Sequence, residues 1–350
     1  MKSVISSPKT AKQGFLVHGE NLRAMNMLLE SHAGKIDLIY IDPPFNSNAN
    51  YYYSSQRTAH ISSQQSSTIA YRDKFGFEEY LEFVRERLVL AHLLLSDCGS
   101  LYFHIDVKIG HYIKIILDKI FGRENFLNEI TRIKSNPKNF ARKAYGNEKD
   151  VIYFYAKKAG QNIFNDIREK YRPEILAKKF PKTDSSGRRY ATMPCHAPGE
   201  TKNGQTGMKW KNISPPPGRH WHRPPAELER LDAAGLVVWS KNMVPRIKKY
   251  ADEHEGCKIQ DVWTNFKDPQ YPLYPTEKNM EMLELIVRQS SRPDSLVMDC
   301  FCGSGAFLAA GIRHGRRVIG VDESEIAIAV ASQRPELVNM PVLELPDWQL

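Results

Sequence analysis

Apolar and polar positions divide the chain into a patterned beginning, an unpatterned middle and a patterned end. Gly14–His18 reads as a short strand, and 21–30 follows as a helix. Ile36–Ile41 (Ile-Asp-Leu-Ile-Tyr-Ile) is too apolar for a strand with one wet face, which predicts a parallel strand covered on both sides. It stops at Asp42-Pro43-Pro44-Phe45, because consecutive prolines cannot continue a central strand. Residues 46–70 are polar and aperiodic, and predict a long mobile loop. Residues 77–96 set Tyr80, Leu81, Val84, Leu88, Ala91 and Leu95 on one side of a helix. A strand at 100–105, a helix at 107–121 and strands at 128–133 and 150–156 come next.

From 158 to 271 periodicity gives way to basic residues, prolines and tryptophans, which predicts an inserted domain of irregular structure. Order returns with a helix at 276–289 opened by a Thr276 cap, a strand at 296–298, a glycine-rich turn, a helix at 305–314 and a strand at 317–321. Alternating strands and helices on both sides of the insert predict one parallel α/β sheet. The expected divisions are 1–157, 158–271, 272–340 and a tail at 341–350.

Composition changes this picture in one place. Of the 350 residues, 41% are hydrophobic and 25% charged, as in ordinary globular proteins, and no apolar run has signal-peptide or membrane-spanning length. A cytoplasmic protein is expected. The cysteines, Cys98, Cys195, Cys257, Cys300 and Cys302, are odd in number and scattered, so they read as free thiols. His196, His220 and His222 lie near Cys195 but match no familiar zinc spacing, and no metal is expected. The net charge of +9 is uneven. Residues 131–250 hold 26 Lys and Arg against 10 Asp and Glu, leaving 23 against 30 elsewhere. Such a block suits a polyanionic partner, although a solvated basic face would give the same count. Lys134, Lys138, Arg142 and Lys143 flank Asn136-Pro137 in a loop able to grip a phosphate backbone. Trp210, Trp221, Trp239 and Trp263 could stack on bases, but mostly read as the core of a small domain.

Two short segments carry candidate chemistry. Asp299-Cys300-Phe301-Cys302-Gly303-Ser304-Gly305 joins a strand to a helix, where glycines allow a sharp turn and close approach of a ligand. The next strand ends in Asp322, placed to accept both ribose hydroxyls of a nucleoside. Ala306-Phe307 leaves no room for a diphosphate, so a nucleoside cofactor without phosphate fits better than a dinucleotide; a structural turn would also contain such glycines. Asp42-Pro43-Pro44-Phe45 offers a carboxylate and the Pro43 carbonyl as two acceptors on a stiff turn. Two acceptors aimed at the hydrogens of an exocyclic base amine would pull its nitrogen towards a tetrahedral shape and free the lone pair. Phe45 offers a stacking face for an extruded base. A plain proline turn would show the same four residues.

Taken together, Ile41-Asp42-Pro43-Pro44-Phe45-Asn46, Tyr274-Pro275-Thr276-Glu277-Lys278 and Phe301-Cys302-Gly303-Ser304-Gly305 resemble the β group of amino-directed DNA methyltransferases, close to the modification subunits of type III restriction systems. The resemblance runs from about Gly19 to Asp322. It implies a circularly permuted Rossmann-like sheet in which the Asp42 and Asp299 strands are neighbours, with an inserted target-recognition domain. It implies S-adenosyl-L-methionine as cofactor, held by Glu20, Asn21, Thr276, Lys278, Asp299, Phe301, Gly303, Gly305 and Asp322, and Asp42, Pro43, Pro44 and Phe45 as the catalytic turn. Pro217-Gly218-Arg219-His220-Trp221 and Pro245-Arg246-Ile247-Lys248-Lys249-Tyr250 look like the family's insert, which implies DNA contacts at Arg219, Arg246, Lys248 and Lys249. The chain departs from the pattern at Glu20, where Asp is commoner, at Asn279, where Pro is usual, and at Ala306, where Thr is usual. The implied partner is double-stranded DNA, with adenine N6 as target. Cytosine N4, an RNA or protein amide, and a recognition subunit without catalysis remain the alternatives, and a restriction subunit or a second copy as partner stays open.

Overall fold

A computed structural model of the chain describes residues 13–44, 49–53, 68–73, 76–137, 143–270, 272 and 277–345. They divide into two compact units, one formed by residues up to Ile167 together with those from Gln260 onward, the other by Arg168–Ile259. The second is narrower than the 158–271 suggested by sequence texture. At Val262–Trp263 the chain already pairs with the large sheet of the first unit.

That sheet is built from β1 (Gly14–His18), β2 (Ile36–Ile41), β3 (Leu95–Ile105), β4 (Phe126–Ile133), β5 (Lys149–Ala156), β6 (Val262–Trp263), β7 (Leu296–Asp299), β8 (Arg317–Asp322) and β9 (Val342–Glu344). Their spatial order is β6-β4-β5-β3-β2-β7-β8-β1-β9. From β3 to β9 every neighbour is parallel, while β5 runs antiparallel to both β3 and β4. The strand leading to Asp42 therefore lies directly beside the strand ending in Asp299, as a permuted order requires, with Asp299 opposite Tyr40 in register. One expectation is corrected at the end of the chain. Val342–Glu344, read as tail, adds a parallel edge strand to β1.

Helices α1 (Asn21–His32), α2 (Phe77–Leu94), α3 (Val107–Phe121), α4 (Met280–Ser290), α5 (Ala306–Arg313) and α6 (Glu325–Ser332) belong to the same unit. In β2 every residue but Asp37 is buried, and all of β7 is buried, as expected for strands covered on both faces. The core includes Ile39, Ile41, Leu88, Leu101, Ile113 and Met298. Helix α4 starts later than the sequence suggests. Its cap is Asn279, whose side chain accepts the Met282 N–H at 3.0 Å, while Thr276 lies outside the described residues. An Asn cap satisfies a free helix N–H that Pro could not, which gives the departure at this position a structural use. Within the segment read as a loop, Ala49–Tyr53 and Thr68–Asp73 pair as antiparallel strands; 54–67 lie outside the described residues.

The second unit is more regular than its composition predicts. Val237–Trp239, Pro245–Tyr250, Arg189–Pro194 and Lys182–Thr183 form a four-stranded antiparallel sheet. Trp210 and Trp221 are buried with Cys195, Leu228 and Ile247, so these tryptophans are core. Apolar side chains spaced by short turns escape any periodicity test, yet a handful of large rings closes a small core.

Candidate active site

Four carboxylates stand along one edge of the sheet. In strand order, Glu20 follows β1, Asp322 ends β8, Asp299 ends β7 and Asp42 follows β2. Parallel strands bring their carboxyl ends to a common edge, where open α/β sheets take ligands. Crowding has electrostatic consequences. Asp299 is 4% exposed, and burial, reinforced by Asp42 and Asp322, pushes its carboxyl well above the usual range despite a hydrogen bond from the Phe301 N–H at 2.9 Å. Burial also raises Asp322 to about 6, opposed by the N–H groups of Ser324 and Gly303, which donate to its two oxygens at 3.0 and 2.8 Å.

The glycine turn needs its glycines. Gly303 and Gly305 have φ of 48° and 72°, in the left-handed region. A Cβ at Gly305 would also lie 2.7 Å from Leu337 Cδ1 and 3.1 Å from Ala331 Cβ. Arg334, just past the end of α6, locks the turn. Its Nε donates to the Ser304 carbonyl at 2.5 Å, and its guanidinium reaches the Ser304 hydroxyl and the carboxylate of Glu277.

The acceptor turn is held differently. Pro43 is buried, and the Pro44 carbonyl accepts the hydroxyl of Tyr80, a fully buried residue of α2, at 2.6 Å. Asp42 Oδ2 pairs with Lys278 Nζ at 2.5 Å. Its other oxygen, Oδ1, is buried with no hydrogen-bond partner among the described residues and lies 3.9 Å from His104 Nδ1. Successive residues therefore reach both ends of the site, Glu277 through Arg334 to the glycine turn and Lys278 to the acceptor turn.

A third group of bonds joins the helices to this edge. Glu20 caps α1 by accepting from Leu22 and Arg23 N–H, both at 2.9 Å, and pairs with Arg87 of α2. Asn21 donates to the Cys300 carbonyl at 2.9 Å and accepts from Arg87 Nε at 2.6 Å.

The structure thus gathers Glu20, Asn21, Lys278, Asp299, Phe301, Gly303, Gly305 and Asp322 with Asp42, Pro43 and Pro44 around one sheet edge. Phe45, Thr276, Lys138 and Arg142 lie outside the described residues. Lys278, expected among the cofactor contacts, pairs with Asp42 of the acceptor turn. Lys134 departs from the reading of a backbone grip, because its Nζ is 2.6 Å from buried Asp150 and 3.5 Å from Asp106. Lys143 is exposed. In the second unit Arg219 and Lys249 are exposed, and Lys248 lies 5.3 Å over the Tyr190 ring. Arg246 is committed to its own sheet, donating to the Thr192 hydroxyl at 3.0 Å and carbonyl at 2.7 Å. The residues missed by sequence are Tyr80, Arg87, His104, Glu277 and Arg334. Of these, His104 alone carries a local signal, a polar group inside the apolar run Leu101-Tyr102-Phe103-His104-Ile105.

Among the described residues, no three His, Cys, Asp or Glu side chains group as metal ligands, and no helix is long and apolar enough to cross a membrane. The chain is 39% identical over 331 residues to the type II methyltransferase M.EcaI of Enterobacter cloacae, across 93% of this chain and 70% of that protein. It is 26% identical to the type II methyltransferase M.KpnI of Klebsiella pneumoniae, across 85% and 76% of the two chains. It is 24% identical to the StyLTI Mod subunit of a Salmonella typhimurium type III restriction-modification enzyme, across 87% of this chain and 50% of that one. The fold is shared with a Thermus thermophilus chain described as a DNA modification methylase and solved with S-adenosyl-L-methionine, at 16% identity and a TM-score of 0.50, over 96% of this chain and 100% of that one. The family profile of the N6/N4 DNA methylases matches residues 36–333, a span that holds both turns, and the chain belongs to that family.

Proposed function

We propose that this protein is a site-specific DNA methyltransferase that moves a methyl group from S-adenosyl-L-methionine to N6 of an adenine turned out of the duplex. The observation that carries the reading is Asp42 Oδ1, a buried acceptor without a partner among the described residues, on a turn stiffened by two prolines. A buried polar atom left unpaired is costly, and an incoming amine N–H would satisfy it. Lys278 holds the other oxygen, so the carboxylate is oriented before substrate arrives. The Pro43 carbonyl is the proposed second acceptor.

The residues fit the cofactor. S-adenosylmethionine, when bound, supplies an electrophilic methyl group on a positively charged sulfur. Asp299, whose proton affinity is raised by burial and by the neighbouring Asp42 and Asp322 carboxylates, would gain from a cation placed beside it. Asp322 keeps acceptor capacity for ribose hydroxyls beyond its two backbone donors. Asn21, Asp299, Phe301, Gly303 and Gly305 would line the remainder, with Glu20 and Thr276 as further contacts. DNA would be held by the basic second unit, through Arg219, Lys248 and Lys249, with Lys143 of the first unit also exposed for a backbone contact. The Salmonella relative supports a restriction subunit as a partner, and a DNA substrate suits a cytoplasmic location.

Incubation with unmethylated bacteriophage DNA and labelled cofactor, followed by digestion and mass identification of the nucleoside, tests this. N6-methyladenine is expected. N4-methylcytosine would move the target to cytosine, and no modified nucleoside would leave a recognition subunit.

A further inference from the structure

His104 is fully buried on β3, with the acceptor turn on one side and a charge cluster that methyl transfer itself does not use on the other. Its Nε2 is 3.2 Å from Asp150 Oδ2, its Nδ1 is 2.8 Å from the Tyr40 hydroxyl, and the same Nδ1 is 3.9 Å from the unpartnered Oδ1 of Asp42. Asp150 is fixed by Lys134 Nζ at 2.6 Å and by the Arg132 guanidinium at 3.5 Å. Burial pushes Asp150 up, but hydrogen bonds from His104 and Lys134 and the charge of Lys134 win and hold it well below the usual carboxylate range. An ionised carboxylate only accepts, so Nε2 must carry the imidazole hydrogen and Nδ1 must present its lone pair. Tyr40 suits either protonation state, since its hydroxyl donates to a bare Nδ1 and can turn to accept from Nδ1–H.

We propose that His104 is a positioning and proton-accepting partner of Asp42, taking at Nδ1 the proton that the base amine sheds on methylation. This rests on the methyltransferase reading of the Asp42 turn. Transfer forms one N–C bond from the amine lone pair as the C–S bond breaks, with its electrons left on sulfur. The nitrogen then carries one proton too many. That proton passes to Asp42 Oδ1 and, as the 3.9 Å separation closes in the complex and the Tyr40 hydroxyl turns away from donating to Nδ1, on to His104 Nδ1, where the Asp150 anion stabilises the imidazolium. After product leaves, it returns through Asp42 to water. Lys278 cannot take it while its ammonium pairs with Asp42, because an ammonium has no free lone pair. Among the described residues, the charged and titratable groups facing His104 include Tyr40 of β2, Asp42 just after it, Asp150 of β5, Arg132 of β4 and Lys278. Burial, outweighing the carboxylates, holds the imidazole below its ordinary range and keeps it neutral and receptive near pH 7.

The test uses the full chain, unmethylated bacteriophage DNA and saturating cofactor in single-turnover methylation across pH. The wild type should show an acid limb set by protonation of His104, displaced below the ordinary histidine range. His104→Gln should be at least about tenfold slower at neutral pH and lose that limb, in line with general-base effects. Asp150→Asn should slow transfer and move the limb to lower pH, and it carries the test if His104→Gln does not fold. A readout without turnover is nitrogen NMR of the histidines in cofactor-free protein. His104 should show the Nε2–H tautomer, and its titration should fall further in Asp42→Asn. An Nδ1–H tautomer, or a His104→Gln rate within threefold of wild type with the limb intact, overturns the proposal. Asp42→Ala at full rate would instead sink the reading of the turn itself, whereas an inactive Asp42→Ala beside an unaffected His104→Gln would sink the proton acceptor alone.

Discussion

Asp322 and Asp42 end strands one place apart on either side of Asp299, yet their surroundings are opposite. Each Asp322 oxygen already accepts a backbone N–H, so the protein completes most of that carboxylate's bonding by itself. Asp42 is anchored through one oxygen by Lys278 and left unpartnered at the other. A finished site suits a ligand that must be held, and an unfinished one suits a group whose bonding changes during reaction. On the proposed reading, binding and chemistry would be separated by one strand.

The contrast breaks most sharply at Asp42. Asp42→Ala should lower single-turnover methyl transfer by about 10²–10³ or more, the usual cost of removing one preorganised partner of a transition state, with cofactor affinity unchanged by calorimetry. Asp322→Ala should do the reverse, weakening cofactor binding by about 1.5–3 kcal/mol while the bound complex still reacts. If both variants lost affinity alike, the division between the two ends would be wrong.

Acidity sharpens the same comparison. With Asp322 raised to about 6, cofactor affinity should fall by at most about tenfold per pH unit below that point, and Asp322→Asn should flatten the profile. The cofactor-free protein should respond with the opposite sign. Its folded state binds a proton at Asp322 that the unfolded chain, near 3.8, has released, so this group's contribution to stability falls as pH rises from about 4 to 6. Asp150, held low, acts only below that window, where its contribution is lost on acidification. Melting temperatures of wild type and Asp322→Asn across this range provide the check.

The smallest expected effect lies between the two ends. Asn279 caps α4 and also donates to the Lys267 carbonyl at 3.0 Å, fixing the segment that carries Glu277 and Lys278. Asn279→Ala should cost about 1 kcal/mol in denaturant unfolding and slow transfer only modestly. A rate loss comparable to that of Asp42→Ala would mean that Lys278 depends on this cap far more than its direct ion pair implies.

Periodicity makes the sheet unit legible. Ile36–Ile41 and the 107–121 helix are bounded by sequence alone because a strand covered on both faces and an amphipathic helix leave unambiguous patterns. The two turns are legible because proline and glycine restrict the backbone in ways few other residues can. Tertiary partners are not. Lys134 reads as one charge among many until Asp150, on the neighbouring strand, claims it. Val342–Glu344 is too short to declare itself a strand without β1 beside it. Arg246 looks like a surface cation, but the strand next to it takes up its donors.

The joining of Asn21 to the Cys300 carbonyl links positions 279 apart in the chain, one opening α1 and the other directly following β7. During synthesis the acceptor turn emerges early and must wait for the glycine turn, with the second unit translated in between. Contacts this distant in sequence are slow to form, and a sheet lacking its inner strands exposes unpaired edges meanwhile. A ribosome-bound chain stalled before Leu296 should therefore hold Asp42 but retain no cofactor, so that methylation competence arrives in one step late in translation.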